Sequence, residues 1–283
     1  MNTAIADLVR RHDPDRFLTA LFAPPDRRDA LLTLYAFNHE LARAREVTSE
    51  PHMALIRLQW WREVVEGTPR RHEVATPLSD AIAQGLLLPS DLLPIVDARE
   101  IEADPCVETL ADWRAYLLAG AGGLSVSAAR LLGAPDPEVF RPFGAAYGAA
   151  GLLRSVPILA AQGRCLLPVD VLAEHDLMPE AITGGASPEP VVRQLAQEGQ
   201  AFLAAGRRVR VPKPAIAAAL PAVLARRDLK KLVMAGEGPP STTSPRQNRG
   251  WRAFARHDDW RQSGPRGFGD RLAVVVAGLT GML

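Results

Sequence analysis

Apolar residues recur at helical spacing through most of the chain and nowhere show the alternation of a strand over any convincing length. Over residues 27–47, Ala30, Leu31, Leu34, Phe37 and Leu41 fall at i, i+3, i+4, i+7 intervals. That spacing predicts one long helix, opened by Asp26 and broken by Pro51. A short helix over 15–22, ended by Pro24-Pro25, precedes it. Another follows over 52–66, with Leu55, Leu58 and Trp60-Trp61 on or near its buried side and Gly67-Thr68-Pro69 closing it. Residues 77–87 and 90–102 predict two more, the second capped by Ser90-Asp91. Residues 110–132 and 137–162 then form two long helices rich in Gly and Ala. The run Ala119-Gly120-Ala121-Gly122-Gly123 would be costly in an isolated helix, so it predicts close approach of another helix or a ligand. Pro157 removes a backbone donor and is expected to kink the last of these helices near Leu153. The fold class is therefore all-α.

Two stretches read as loops, 179–190 and 236–250. The second, GEGPPSTTSPRQNRG, contains no apolar side chain larger than proline and is expected to be a flexible linker. It separates a helical domain, 1–235, from a C-terminal tail segment, 251–283. Trp251, Phe254 and Trp260 stand among arginines in that tail and would dock it on the domain, with a partner or lipid contact as the alternative. The segment 272–283 is continuously apolar or small, which suits either a buried helix or a weak anchor on a membrane surface. No run of about 20 apolar residues predicts a membrane span.

Composition narrows the function classes. A chain of 283 residues with 47% apolar side chains can bury one large core. The 33 basic side chains balance 32 acidic ones, so bulk charge gives nucleic-acid binding no support. Cys106 and Cys165 are too few for a disulfide framework and too far apart for a zinc motif; inert thiols in a reducing, cytoplasmic setting are expected. The first eleven residues lack the apolar core of a secretory signal. The histidines, at 12, 39, 52, 72, 175 and 257, show no ligand spacing. Gly122-Gly123 has no phosphate-binding context, and Ser125 and Ser127 have no His/Asp arrangement near them in sequence.

Three segments carry a resemblance. Residues 17–37 read FLTALFAPPDRRDALLTLYAF; residues 97–133 open on DARExE and end in AGAGGLSVSAARLLG; residues 147–168 read YGAAGLLRSVPILAAQGRCLLP. In this order and spacing they resemble the squalene/phytoene synthase family. The resemblance implies an isoprenoid-synthase-like helical bundle around a central cavity, in which two prenyl diphosphates are condensed head to head. In that chemistry Mg²⁺ neutralises each departing diphosphate and is held by carboxylates of two Asp-rich motifs.

At those motifs the chain departs from the pattern. After Tyr35-Ala36-Phe37 the resemblance expects Asp-Asp-x-x-Asp, which falls on Ala42, Arg43 and Glu46; His39, beside Glu40, stands where an Arg is usual. Arg43 and Glu46, at i and i+3, are expected to pair with each other. The second motif falls on Gly151, Ser155 and Ile158-Leu159, on a helix face that reads Tyr147, Gly151, Ser155, Leu159. A metal-free site of this make-up could bind an anion through Arg43, Arg45, Arg154 and Arg164, the alternative being that these arginines are solvated or structurally paired.

Leu153-Arg154-Ser155 with Pro157, Glu50-Pro51, and the run IRLQWWRE at 56–63 further resemble a divergent branch of the family. That branch includes the mitochondrial complex I assembly factor 6 type and its bacterial relatives. Two readings stay open. One is a non-catalytic or altered scaffold, without a metal cofactor, that binds an isoprenoid or lipid or assists assembly of a membrane complex, cytoplasmic or at the membrane surface. The other is an active prenyltransferase using Mg²⁺, with Glu40, Glu46, Glu63, Glu100, Glu102 and Asp104 as reserve ligands.

Overall fold

A computed structural model describes residues 2–46, 50–206, 211–234 and 266–281, the side chain of Glu46 excepted. The described residues form α-helices in the order α1 Thr3–His12, α2 Pro14–Ala20, α3 Pro25–Glu46, α4 Pro51–Val65, α5 Ala75–Ala83, α6 Pro89–Ala98, α7 Leu110–Leu117 and α8 Gly123–Leu131. They continue as α9 Arg141–Ala161, α10 Val169–Ala173, α11 Pro179–Thr183, α12 Glu189–Gly206, α13 Ile216–Ala219, α14 Pro221–Met234 and α15 Phe268–Thr280. Among these residues no strand forms; Val107 and Pro168 make one isolated parallel bridge.

Proline sets many of the starts. It sits in the first turn of α2, α4, α6 and α9, where its missing N–H has no helical partner to lose. Asp13 ends α1 and caps α2, its carboxylate accepting the Arg16 amide at 3.1 Å. Thr109 caps α7 in the same way, accepting the Asp112 amide at 3.1 Å.

The bundle is organised around α9, which packs against α12, α14 and the α7–α8 region. The glycines expected to mark a close approach do so. A Cβ on Gly144 would overlap the Ala121 carbonyl oxygen, and one on Gly122 would lie 3.0 Å from the Arg141 carbonyl. Between α7 and α8 the chain takes a π-turn, Leu118–Gly122, so 110–132 is not one regular helix. Arg141 donates to the Leu118 carbonyl within that turn at 2.9 Å.

Other expectations are corrected. No Ser90-Asp91 cap forms: Pro89 sets the first position of α6, Leu88 precedes it without a side-chain cap, and Asp91 instead pairs with Arg130 at 2.7 Å. The end of 90–102 tightens into a 3₁₀ turn, Arg99–Ala103. The stretch 179–190 is not one loop, since it holds α11 and the start of α12. Pro157 stands inside α9 and does not end it, since the helix runs on to Ala161. By length and hydropathy alone, Pro137–Ala161 would also suit a membrane span. Its apolar residues Phe143, Ala145, Ala146, Ala149, Ala150 and Leu153 are core residues of the bundle. The 236–250 linker and Trp251, Phe254 and Trp260 lie outside the described residues. The C-terminal helix is neither wholly buried nor free: Val274 and Ala277 pack against Ile216, Leu220 and Leu224 while its other face is exposed.

Candidate functional site

Two polar clusters lie inside the bundle. The first joins α2, α9, α14 and the residues leading into α15. Arg266 donates to Asp15 at 2.7 and 2.8 Å and to Asp228 at 2.9 and 3.1 Å. Arg154 of α9 donates to the same Asp228 at 2.6 Å, and the Tyr147 hydroxyl donates to Asp15 at 3.1 Å. Arg16, paired with Asp13 at 2.8 Å, lies 4.8 Å from the Tyr147 ring centroid and 5.7 Å from that of Tyr35. Three carboxylates and three guanidinium groups therefore share one buried region at balanced charge.

The ionisation of these groups follows from the pairing. Burial alone would push the Asp228 carboxyl up, but the hydrogen bond from Arg266 and the charges of Arg154 and Arg266 outweigh it and hold it below the ordinary carboxylate value. Burial pushes the Tyr147 hydroxyl up, and the Asp15 and Asp13 charges push it further, so it stays a donor.

The second cluster lies between α3, the 99–103 turn and α7. Arg99 bridges Asn38 of α3, at 3.0 Å, and Glu102. The Tyr116 hydroxyl also donates to Glu102, and Arg164 donates to the Glu102 carbonyl at 3.2 Å. Tyr116 is pushed up by burial and then by the Glu102 charge. Tyr116→Phe removes one donor from a buried carboxylate and is expected to cost about 1–3 kcal/mol. Urea melts of the two proteins check this, and unchanged stability would show that Arg99 satisfies Glu102 alone.

On the first-motif helix, His39 is half-buried and stacks on His12, with ring centroids 4.4 Å apart. Arg43 donates to Glu40 at 3.0 Å, one turn towards the N-terminus; the expected pairing with Glu46 falls on a side chain outside the described residues. Ala42 and Arg45 are half-buried. Glu40 and Ala44 line a groove of about 200 Å³ with Arg57, Trp60, Trp61 and His72. A larger groove of about 480 Å³ shares Trp60 and runs along Leu55, Ile56 and Gln59 to Glu100.

On the second-motif face, Gly151 is exposed, Leu159 is half-buried against the core and Ser155 donates to the Leu152 carbonyl at 2.8 Å. Tyr147 and Arg154 enter the first cluster, and Arg164 the second. The expected site residues are thus divided between two clusters and a surface groove. Most reserve carboxylates meet arginines: Glu40 with Arg43, Glu63 with Arg70, Glu100 with Arg62, and Glu102 with Arg99. Among the described residues no three His, Cys, Asp or Glu side chains come together as a metal ion would require.

The sequence reading missed Asp13, Asp15, Arg16, Asp228 and Arg266. One signal was available for Asp228, a lone acid on the apolar face formed by Leu224, Ala225, Leu229 and Leu232. The thiols of Cys106 and Cys165 are free and raised above their usual value, chiefly by burial.

Comparison with known proteins places this architecture. The chain is 28% identical to the rat "NADH dehydrogenase (ubiquinone) complex I, assembly factor 6" over 239 residues, 80% of this chain and 72% of that protein. The human counterpart is 28% identical over 182 residues, 62% of this chain and 55% of that protein, so the match spans little more than half of its length. The squalene synthase HpnC of Alicyclobacillus acidocaldarius superposes with a TM-score of 0.69 at 19% identity, covering 84% of this chain and 94% of that one. A dehydrosqualene synthase solved with a ligand gives 0.68 at 14% identity, covering 93% and 96%. At these identities the structural likeness establishes the fold. The sequence model of the squalene/phytoene synthase family matches residues 9–247, and the chain belongs to that family.

Proposed function

We propose that this protein is a non-catalytic scaffold of the squalene/phytoene synthase fold that assists assembly of a respiratory complex I-type NADH dehydrogenase. One observation carries the reading: the sequence likeness to complex I assembly factor 6 runs through 80% of this chain. The polar groups support it. Mg²⁺ takes hard oxygen ligands and is bound through carboxylates together with the substrate's phosphates. The motif positions hold Ala42, Arg43 and Glu46 on one side, with Glu46 their one carboxylate, and Gly151, Ser155 and Leu159 on the other. Glu40, Glu63, Glu100 and Glu102 are each held by an arginine, so the described donor set does not fit that ion. On this reading no metal cofactor is needed, and an isoprenoid or lipid is a ligand rather than a substrate.

The fold favours a second reading, an active prenyltransferase, because HpnC and the dehydrosqualene synthase superpose over nearly their whole lengths. One experiment separates the two. The protein is incubated with farnesyl or geranylgeranyl diphosphate, Mg²⁺ and NADPH, and products are extracted. In parallel, a strain lacking the gene is tested for assembled NADH dehydrogenase on native gels. The expected result is no product, and loss of the assembled complex that the intact gene restores. Turnover that disappears in Glu46→Gln would overturn the proposal.

A further inference from the structure

The outer face of α15 carries a row of exposed apolar side chains. Phe268, Leu272, Val276 and Leu279 follow one another at helical spacing and are 81%, 47%, 48% and 70% exposed. The opposite face is a packing face. Val274 and Ala277 are buried against α13 and α14, and Gly278 lies against the Phe22 ring. The helix is therefore held by one side and presents the other.

Its orientation is fixed at the N-terminal end. Arg266 is anchored by Asp15 and Asp228, and Arg227 of α14 pairs with Asp270 at 2.6 Å. Leu21, next to Phe22, adds a further apolar side chain that is 46% exposed.

Cations lie towards the N-terminal end of this row. Arg271 is exposed on α15 itself. Lys230 and Lys231, both exposed, come one turn after Arg227 on α14, towards the N-terminal end of α15. Met234, 54% exposed, follows them on α14. The one acid on α15 is Asp270, whose side chain is 14% exposed and already paired. Protein interfaces are depleted in lysine at their centres, and free surfaces rarely carry a contiguous row of large apolar groups. A row of Phe, Leu, Val and Leu with Lys and Arg towards one end has the make-up of a helix lying in the plane of a lipid interface. The positive end matches an acidic leaflet.

We propose that the outer face of α15 seats the protein on bilayers containing acidic lipid, with Phe268, Leu272, Val276 and Leu279 entering the interface. This docking surface stands whether the bundle is a scaffold or an enzyme.

Flotation of the full chain with phosphatidylcholine vesicles, with and without phosphatidylglycerol, tests it. The wild-type protein is expected to float with the acidic vesicles and to be released by high salt. The triple variant Phe268→Ser/Leu272→Ser/Leu279→Ser is expected to bind at least about tenfold more weakly. Its melting temperature should fall only slightly, because Phe268 and Leu279 are largely exposed and Leu272 is half exposed. Lys230→Glu/Lys231→Glu/Arg271→Glu is expected to remove the preference for acidic lipid. The proposal fails if the wild-type protein floats with neither vesicle, or if the triple variant floats as well as wild type. It fails equally if the wild type elutes as a dimer that the triple variant converts to a monomer without any flotation, because the face then covers a second copy.

Discussion

Arg266→Ala is expected to destabilise the protein by about 3–5 kcal/mol, the cost of breaking a buried ion pair by removing one partner. The Arg266 side chain is 14% exposed and Asp228 8%, so little solvent is available to replace the lost guanidinium. Asp228 would keep Arg154, but Asp15 would keep only the Tyr147 hydroxyl. Denaturant melts of Arg266→Ala, Asp15→Asn and the double variant test the origin of the loss. The double variant should fall short of the sum of the two single losses, because Asp15→Asn removes the charge that Arg266→Ala strands. A loss below about 0.5 kcal/mol in Arg266→Ala would show a solvated pair of little consequence.

The same cluster sets the sign of an acid response. Asp228 has a folded pKa below its ordinary value of 3.8. Its stabilisation is therefore fully present above that value and fades as pH falls through the lower folded pKa. In Arg266→Ala much of the depression is gone, so that contribution should shrink at neutral pH and the acid transition should move upward. Circular dichroism during acid titration of both proteins would show it; coincident transitions would remove Asp228 from the account.

Gly144→Ala is the second large effect. The added methyl would overlap the Ala121 carbonyl oxygen and lie 2.5 Å from Ser125 Oγ. The obstacle includes backbone within the π-turn between α7 and α8, which cannot rotate aside as a side-chain end can. A loss at or above the top of the usual range of about 1–3 kcal/mol for overpacking is expected. Gly151→Ala supplies the contrast in the same helix. That position is exposed, and a Cβ there meets nothing within 4 Å. The substitution should stabilise by roughly 0.5–1 kcal/mol. Thermal melts that rank the two variants the other way would refute the packing of α9 on the α7–α8 region.

The contrast between these glycines shows what the sequence made legible. The run at 119–123 announced a close approach because glycine in a helix is costly unless something needs the space. It did not say which helix would approach, and α9 answers with a glycine of its own. Helical periodicity located the helices between residues 15 and 162 because each buries a wide apolar stripe, while Thr3–His12 and Val169–Ala173 were not read as helices. Boundaries drifted where proline decided the first turn, as at Pro89, and 179–190 was misread because a five-residue helix carries little periodicity.

The site was harder to read for a different reason. Arg43 has an acid at i−3 as well as at i+3, and its ion pair with Glu40 was not read from the spacing. Asp15 and Arg266 look like ordinary surface charges in sequence, and only the folded chain makes them neighbours. The motif positions were assigned by order and spacing; the residues that neutralise one another around them could not be, because pairing is a property of three dimensions.

The bond between Asp15 and Arg266 spans 251 positions. During synthesis α2 emerges early, and its carboxylate has no guanidinium partner from the C-terminal region until residue 266 has been made. Long-range closure of this kind slows folding, because the chain must lose the entropy of a very large loop before the contact rewards it. The bundle can therefore collapse around α9 while its N-terminal corner stays open. A nascent chain held on the ribosome before residue 266 should be cut by protease in α2, whereas the released protein should not.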